Sequence, residues 1–312
     1  MTGAPDLPIT IRGAEPGDED GIGRLRTSLA ASPLDEASWP PNHLLNASDT
    51  RHIVAVRNHL VVATAIRWRN ALHPRRHRLS LGVHSDHRRQ GLGRALWLEL
   101  GGKGGLGWQT GVGGRNVTGQ AMLRELGFQR IMRTRLADLR PNRVPSPRRD
   151  AIGEGWKIAS LNDAPVAFSE PRILARLHRD VYADQHTWDP VDERVLDDEA
   201  SDLFVGRAED RIVPDLTALA WRAEEPVGVG SLWGDIATGS VDLGWIGVTP
   251  VAGSDQSAIV AALTDWCLVR AAELGVAVSL EVDDANAPVL AALGRWHVDW
   301  TEDWLTLALD HP

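Results

Sequence analysis

The chain has 312 residues, 43% of them apolar and 24% charged, and a net charge of −9. Its length predicts two domains of about 150 residues; no run approaches the roughly 18 apolar residues of a membrane span and the start lacks an apolar signal core, so the expectation is a cytoplasmic protein with no membrane partner. The single cysteine, Cys267, excludes an intrachain disulfide and a cysteine-rich zinc site, and its setting between Trp266 and Leu268 predicts a buried helix residue rather than a nucleophile.

Along the first half, Ile9 to Arg12 reads as a short strand and Asp18 to Leu29 as a helix opened by acidic residues. His52 to Arg57 and Leu60 to Trp68 alternate as strands, with Asn58-His59 as the turn between them. Arg78 to Val83 is a further strand, Gly91 to Leu100 a helix, Leu106 to Val112 a strand, Val117 to Leu126 a helix and Phe128 to Leu136 a strand. The order predicts a mixed α/β fold with a central sheet.

The stretch from Asp138 to Arg149 is rich in Pro and Arg and lacks apolar periodicity, which reads as a linker. Domains are therefore expected at 1–140 and 153–312, joined by 141–152. The second half repeats the first: Leu81-Gly82-Val83 matches Ile246-Gly247-Val248, and Asn116 matches Asn286 further on. The repeat predicts two tandem domains of one fold.

The most informative stretch runs from Val83 through Ser85, Arg88, Arg89, Gln90, Gly91, Leu92, Gly93 and Arg94, between a strand and a helix. Backbone N–H groups converge at such a junction and the helix dipole adds positive potential, which suits a pyrophosphate. Gly91 and Gly93 let the backbone approach phosphates, and the arginines supply charge and forked donors. The chain has no G-x-x-x-x-G-K-[ST] loop, and Gly91-Leu92-Gly93-Arg94-Ala95-Leu96 lacks the third glycine of the dinucleotide fingerprint.

Arg88-x-x-Gly91-x-Gly93, after a strand ending at Val83, resembles the [QR]-x-x-G-x-[GA] signature of the GNAT superfamily of acyl-CoA-dependent N-acyltransferases. Asn116 and Leu126-Gly127-Phe128 resemble that family's second half, and the resemblance extends more weakly over 155–309. It implies a tandem protein that moves an acetyl group from acetyl-CoA to a primary amine by direct attack, without a metal. It also implies that the Val83 N–H polarises the thioester carbonyl, while residues 85 to 94 and Asn116 hold the CoA. Leu123 stands where the family often has a tyrosine acid. Ser80 and His77 on the strand, and Asp35, Glu36 and His43 in the early loop, remain open as bases. The vacant acid position also motivates the alternative of a CoA-binding regulatory pseudoenzyme.

Charge divides the chain. Residues 1–145 hold 21 Lys and Arg against 12 Asp and Glu, and the remainder 12 against 30. An acidic half beside a basic one suggests a cationic amine acceptor beside a polyphosphate donor. Nine of the 13 Trp and the single tyrosine, Tyr182, fall in the acidic half, a composition that suits a cation. There the loop around Gly253, Asp255 and Gln256 has lost the arginines, so this copy is expected to bind CoA poorly. The dispersed arginines, without interleaved aromatics, argue against nucleic acid, and the spacing of His73, His77, His84 and His87 across a turn argues against a metal site.

Overall fold

The computed structural model describes residues 8–31, 39, 49–70, 72–102, 105–141, 153–192 and 213–310. In chain order the elements are β1 (Thr10–Gly13), α1 (Glu19–Ala30), β2 (Arg51–Arg57), β3 (Leu60–Arg69), β4 (Arg76–Val83), α2 (Leu92–Glu99), β5 (Gly107–Gly113), α3 (Val117–Glu125) and β6 (Gln129–Leu139). Then follow β7 (Trp156–Ser160), α4 (Pro171–Gln185), β8 (Thr217–Arg222), β9 (Glu225–Trp233), β10 (Ser240–Val248), α5 (Gln256–Leu274), β11 (Ala277–Asp283), α6 (Ala287–Leu293) and β12 (Glu302–Leu309). The second run of elements repeats the order of the first, and the α/β class with a mixed sheet is the one the chain forms.

The compact units interleave along the chain. One comprises Met1–Arg133 with Glu302–Pro312, the other Thr134–Thr301. The boundary expected at 141–152 lies, apart from Pro141, outside the described residues. In the first unit the strands run β1-β2-β3-β4-β5-β12, and in the second β6-β11-β10-β9-β8-β7. Every pairing within these two runs is antiparallel except β4 with β5 and β10 with β11.

Local sequence accounts for these elements. Asn58 and His59 both take positive φ, 49° and 60°, as a two-residue hairpin turn requires, and this places β2 antiparallel to β3. Alternation then splits the sheet of the first unit into two faces. Ile53, Ala55, Ala63, Ala65 and Leu79 join Leu96 of α2 and Leu123 of α3 in one core, with Leu307 of β12 buried among them. Gly82, on the opposite face, lies under α1, where a Cβ would strike Leu29 and come within 3.1 Å of Trp39. In the second unit α5 buries residues around most of its girth, Cys267 among them, and that burial pushes the thiol pKa up.

Candidate functional site

β4 is bonded unequally along its two edges. With β3 it pairs over its length, from Arg69↔His77 to Ala63↔Val83. With β5 it pairs in parallel only over Arg76–Arg78, and the last link is the Thr110 hydroxyl donating to the Leu79 carbonyl at 2.8 Å. The strands part beyond that point. His84 N–H donates to Val62 O at 2.9 Å, so Val83 and Ala63 form a non-hydrogen-bonded pair of the ladder. The N–H and C=O of Val83 therefore point away from β3, toward the side that β5 has left.

A cavity of about 350 Å³ opens there. Its walls are Leu81, Gly82 and Val83 of β4, the turn and first residues of α2, and Asn116, Thr118 and Met122 at α3, with Leu29 of α1 closing the Gly82 end. The turn is built by its own backbone. His87 N–H and Arg88 N–H donate to His84 O and Ser85 O, Arg89 sits at φ 63°, and Gly91 takes φ 80° to start α2. A non-glycine residue at Gly91 is strained although a Cβ would meet nothing within 4 Å. The N–H groups that open α2 have no partner one turn earlier and face this junction, and the helix dipole adds its positive end.

The residues expected to hold a ligand separate into distinct roles. Val83, Arg88, Arg89, Gly91, Leu92, Gly93, Arg94 and Asn116 all line the cavity. Arg89 and Arg94 are exposed and make no ion pair among the described residues. Arg88 folds back, its Nε donating to Val83 O at 3.1 Å, and so ties the turn to the strand end. Gly93 answers to packing: a Cβ there would lie 2.5 Å from Met122 Sδ, so its absence lets α2 and α3 close together. The Asn116 side chain accepts from Gly119 N–H at 2.8 Å and caps α3. Leu92 is 7% exposed and belongs to the core. Ser85 and Gln90 lie outside the cavity lining; the Ser85 hydroxyl donates to Asp86 Oδ1 at 3.1 Å, and Gln90 Nε2 donates to Asp86 O at 3.5 Å.

The candidate bases fare differently. Ser80 is 1% exposed, lies on the α1 face and is not part of the cavity wall. His77 is six residues before Val83, about 20 Å along the strand, with its ring 5.5 Å from Trp108. Burial, then the charges of Arg67 and Arg69, lower its pKa. Asp35, Glu36 and His43 lie outside the described residues. Leu123 is 5% exposed and packed in the core, so no proton donor stands at that position. His87, considered in the sequence only as part of a declined metal spacing, and Glu125, which the sequence reading passed over, also line the cavity. Helix phase could have flagged Glu125, which follows the α3 cap by nine residues; for His87 the histidine spacing pointed to a metal and not to this cavity.

The matching turn in the second unit differs in chemistry. Thr249 N–H donates to Val227 O at 2.7 Å, reproducing the strand end at His84 and Val62. At the start of α5, however, stands Asp255, whose carboxylate accepts from Trp156 Nε1 at 2.8 Å. Among the described residues no group of three His, Cys, Asp or Glu could hold a metal ion, and no helix is long and apolar enough to cross a membrane.

The parallel-strand splay with its glycine-opened helix in the first unit, and the same order of elements repeated in the second, give the fold of the GCN5-related N-acetyltransferases (GNAT). Among solved structures, a GCN5-related N-acetyltransferase from Sphaerobacter thermophilus is similar at 15% identity, with 97% of this chain and 96% of that one covered and a TM-score of 0.67. A tandem GNAT protein from the clavulanic acid biosynthesis pathway is 14% identical over 98% of this chain and 99% of its own, with a TM-score of 0.59. A glucosamine N-acetyltransferase region of a fungal multi-domain β-N-acetylglucosaminidase matches 98% of this chain at 13% identity and a TM-score of 0.63, covering 38% of that protein. No protein-family model matches the chain, and no curated protein does.

Proposed function

We propose that the chain is an acyl-CoA-dependent N-acyltransferase whose donor site is the cavity at the start of α2, and that it moves an acetyl group to the amine of a small molecule. The observation that carries this reading is the single cavity wall formed by the outward Val83 N–H, the uncapped N–H groups of α2, and Arg89 and Arg94, which make no ion pair among the described residues. A diphosphate fits the helix start and its two arginines. The pantetheine arm runs along the open edge of β4 as an added strand, which brings a thioester carbonyl to the Val83 N–H. The acceptor amine, having lost a proton to solvent, attacks that carbonyl carbon; the carbon–sulfur bond breaks, CoA leaves as thiolate, and the second proton that the new amide nitrogen sheds goes to that sulfur. A thiol leaves with a pKa of roughly 8.5, so the reaction tolerates a leucine at position 123. The Asp255 carboxylate at the start of α5 supports donor binding in the first unit alone.

Two measurements test the reading. Thiol release should follow addition of acetyl-CoA and a panel of small amines. Arg89→Ala and Arg94→Ala should each raise KM for acetyl-CoA roughly tenfold with kcat little changed, as expected for lost charge-assisted contacts to a remote part of the donor. An unaltered KM in both variants, or CoA binding without turnover on any amine, counts against it.

The Gly82 end of the cavity bears on chain length. Leu29 closes it and Trp39 stands behind, with Arg26 lying 5.1 Å over the Trp39 ring. Wild-type protein should therefore prefer acetyl over longer acyl donors, and Leu29→Ala should narrow the kcat/KM ratio about tenfold, the scale of one or two methylenes in an apolar pocket. Competition between acetyl- and butyryl-CoA reads this directly; an unchanged ratio removes Leu29 from the acyl end.

A further inference from the structure

The second unit carries a continuous aromatic cluster that the donor site does not use. Trp233 and Trp245 meet edge to face at 5.2 Å, Trp245 is 5.1 Å from Tyr182, Tyr182 stacks on His186 at 3.7 Å, and His186 is 5.4 Å from Trp188. All five rings are half-buried rather than sealed in the core. They gather where the β9–β10 register shifts between Leu243 and Ile246, beyond the short parallel pairing of β10 with β11 over Ser240–Asp242. This is the sheet face under α4, because Gly247 has no room for a Cβ against Val181 and Gln185.

Among the described residues, two polar atoms in the cluster have no hydrogen-bond partner. His178 is fully buried beside Trp245, at 5.7 Å, and its Nδ1–H donates back to Leu174 O at 2.8 Å. Its Nε2 therefore points away from its own helix toward the sheet and has no hydrogen-bond partner among the described residues; Trp188 Nε1 has none among them either. Leaving such groups unsatisfied in a low-dielectric interior is destabilising, and a bound donor or acceptor relieves that. Burial lowers the His178 pKa to about 4, so near neutral pH the ring is an uncharged acceptor.

The same face is acidic. Val278, Leu280 and Val282 of β11, with Val241 and Leu243 of β10, point into the α5 core, so alternation places Asp242, Glu281 and Asp283 on the α4 side. Asp283 Oδ2 lies 3.9 Å from His186 Nε2, and its other oxygen accepts from the Thr134 hydroxyl. Glu281 and Asp242 have no hydrogen-bond or ion-pair partner among the described residues. Desolvation, then the charges of Asp283 and Asp242, push the Glu281 carboxyl up from its ordinary range. A cation on this face relieves that repulsion, and the absence of a three-ligand cluster among the described residues disfavours a metal ion in the role.

We infer that the α4 face of the second unit, between the Trp245–Tyr182–His186 rings and the Glu281 and Asp283 carboxylates, is a binding site for a small organic ammonium ion. Aromatic faces and nearby carboxylates attract an alkylammonium, and His178 Nε2 accepts one of its N–H groups when it carries any. The proposal stands on the second unit and does not require acyl transfer in the first.

The test is a titration of the full-length protein with tetramethylammonium and with propylammonium, followed through tryptophan indole resonances, against sodium chloride at equal ionic strength and uncharged tert-butanol. Saturable shifts with both ammonium ions and none with the controls are expected. Trp245→Leu should weaken binding about tenfold and Glu281→Gln at least threefold. Equal responses to sodium or tert-butanol, or wild-type affinity in both variants, overturn the proposal. Should Trp245→Leu unfold, the surface variant Glu281→Gln decides alone.

Discussion

A chain ended at Thr301 is expected to lose acetyl-CoA binding and the cooperative unfolding of its first unit, although the whole donor loop is still present. β12 completes the sheet of that unit, pairing with β5 from Trp304↔Gly113 to Leu309↔Trp108. Leu307 is 3% exposed in the core, and Leu305 and Leu309 pack against it. Losing the buried Leu307 costs about 2–5 kcal/mol, and with the partly buried Leu305, Leu309 and the whole β5 pairing lost besides, the cost is a large share of the roughly 5–15 kcal/mol that holds a domain folded. β5 cannot compensate, because Gly107, Gly111 and Gly113 make it a weak strand; Gly111 is a glycine because Trp304 lies on it. Arg76 paired with Asp310 and Arg133 with Asp303, at 2.7 Å each, pin the strand further. Calorimetry should show one unfolding transition missing, and a peptide of residues 302–312 should restore part of it. A truncated protein that melts and binds CoA like the full chain contradicts the interleaved architecture.

The second large effect is expected at a single N–H group. Val83→Pro removes that donor, and because the Val83 N–H lies outside the β3 ladder the substitution spares the strand pairing. Loss of one donor to a developing oxyanion is worth roughly 100- to 1,000-fold in kcat. CoA affinity, which rests on the α2 start and Arg89 and Arg94, should move little. A variant with normal kcat, or one that loses CoA binding in proportion to kcat, removes Val83 from its assigned role.

Much of this architecture is legible residue by residue. The β2–β3 hairpin follows from Asn58-His59 between alternating runs, and the start of α2 from Gly91, whose φ of 80° few other residues tolerate. The matching of Val83 with Val248 and of Asn116 with Asn286 places strand ends and helix caps at like positions. Other features are invisible locally. That β12 joins β5 depends on contacts some two hundred residues apart, and no periodicity encodes a partner. Ser80 looked available because alternation gives each residue a face without saying which face opens into a cavity. Gly93 illustrates the same limit: approach to a phosphate and approach to Met122 both demand a missing Cβ, and only the packing of α3 separates them.

The most direct measurement is a crystal structure grown with excess acetyl-CoA. The diphosphate is expected against the N–H groups of Gly91 to Arg94, the thioester oxygen on the Val83 N–H, and the acyl methyl toward Leu29. A donor seated instead at Asp255 in the second unit, or an α2 cavity left vacant at saturating ligand, contradicts that placement.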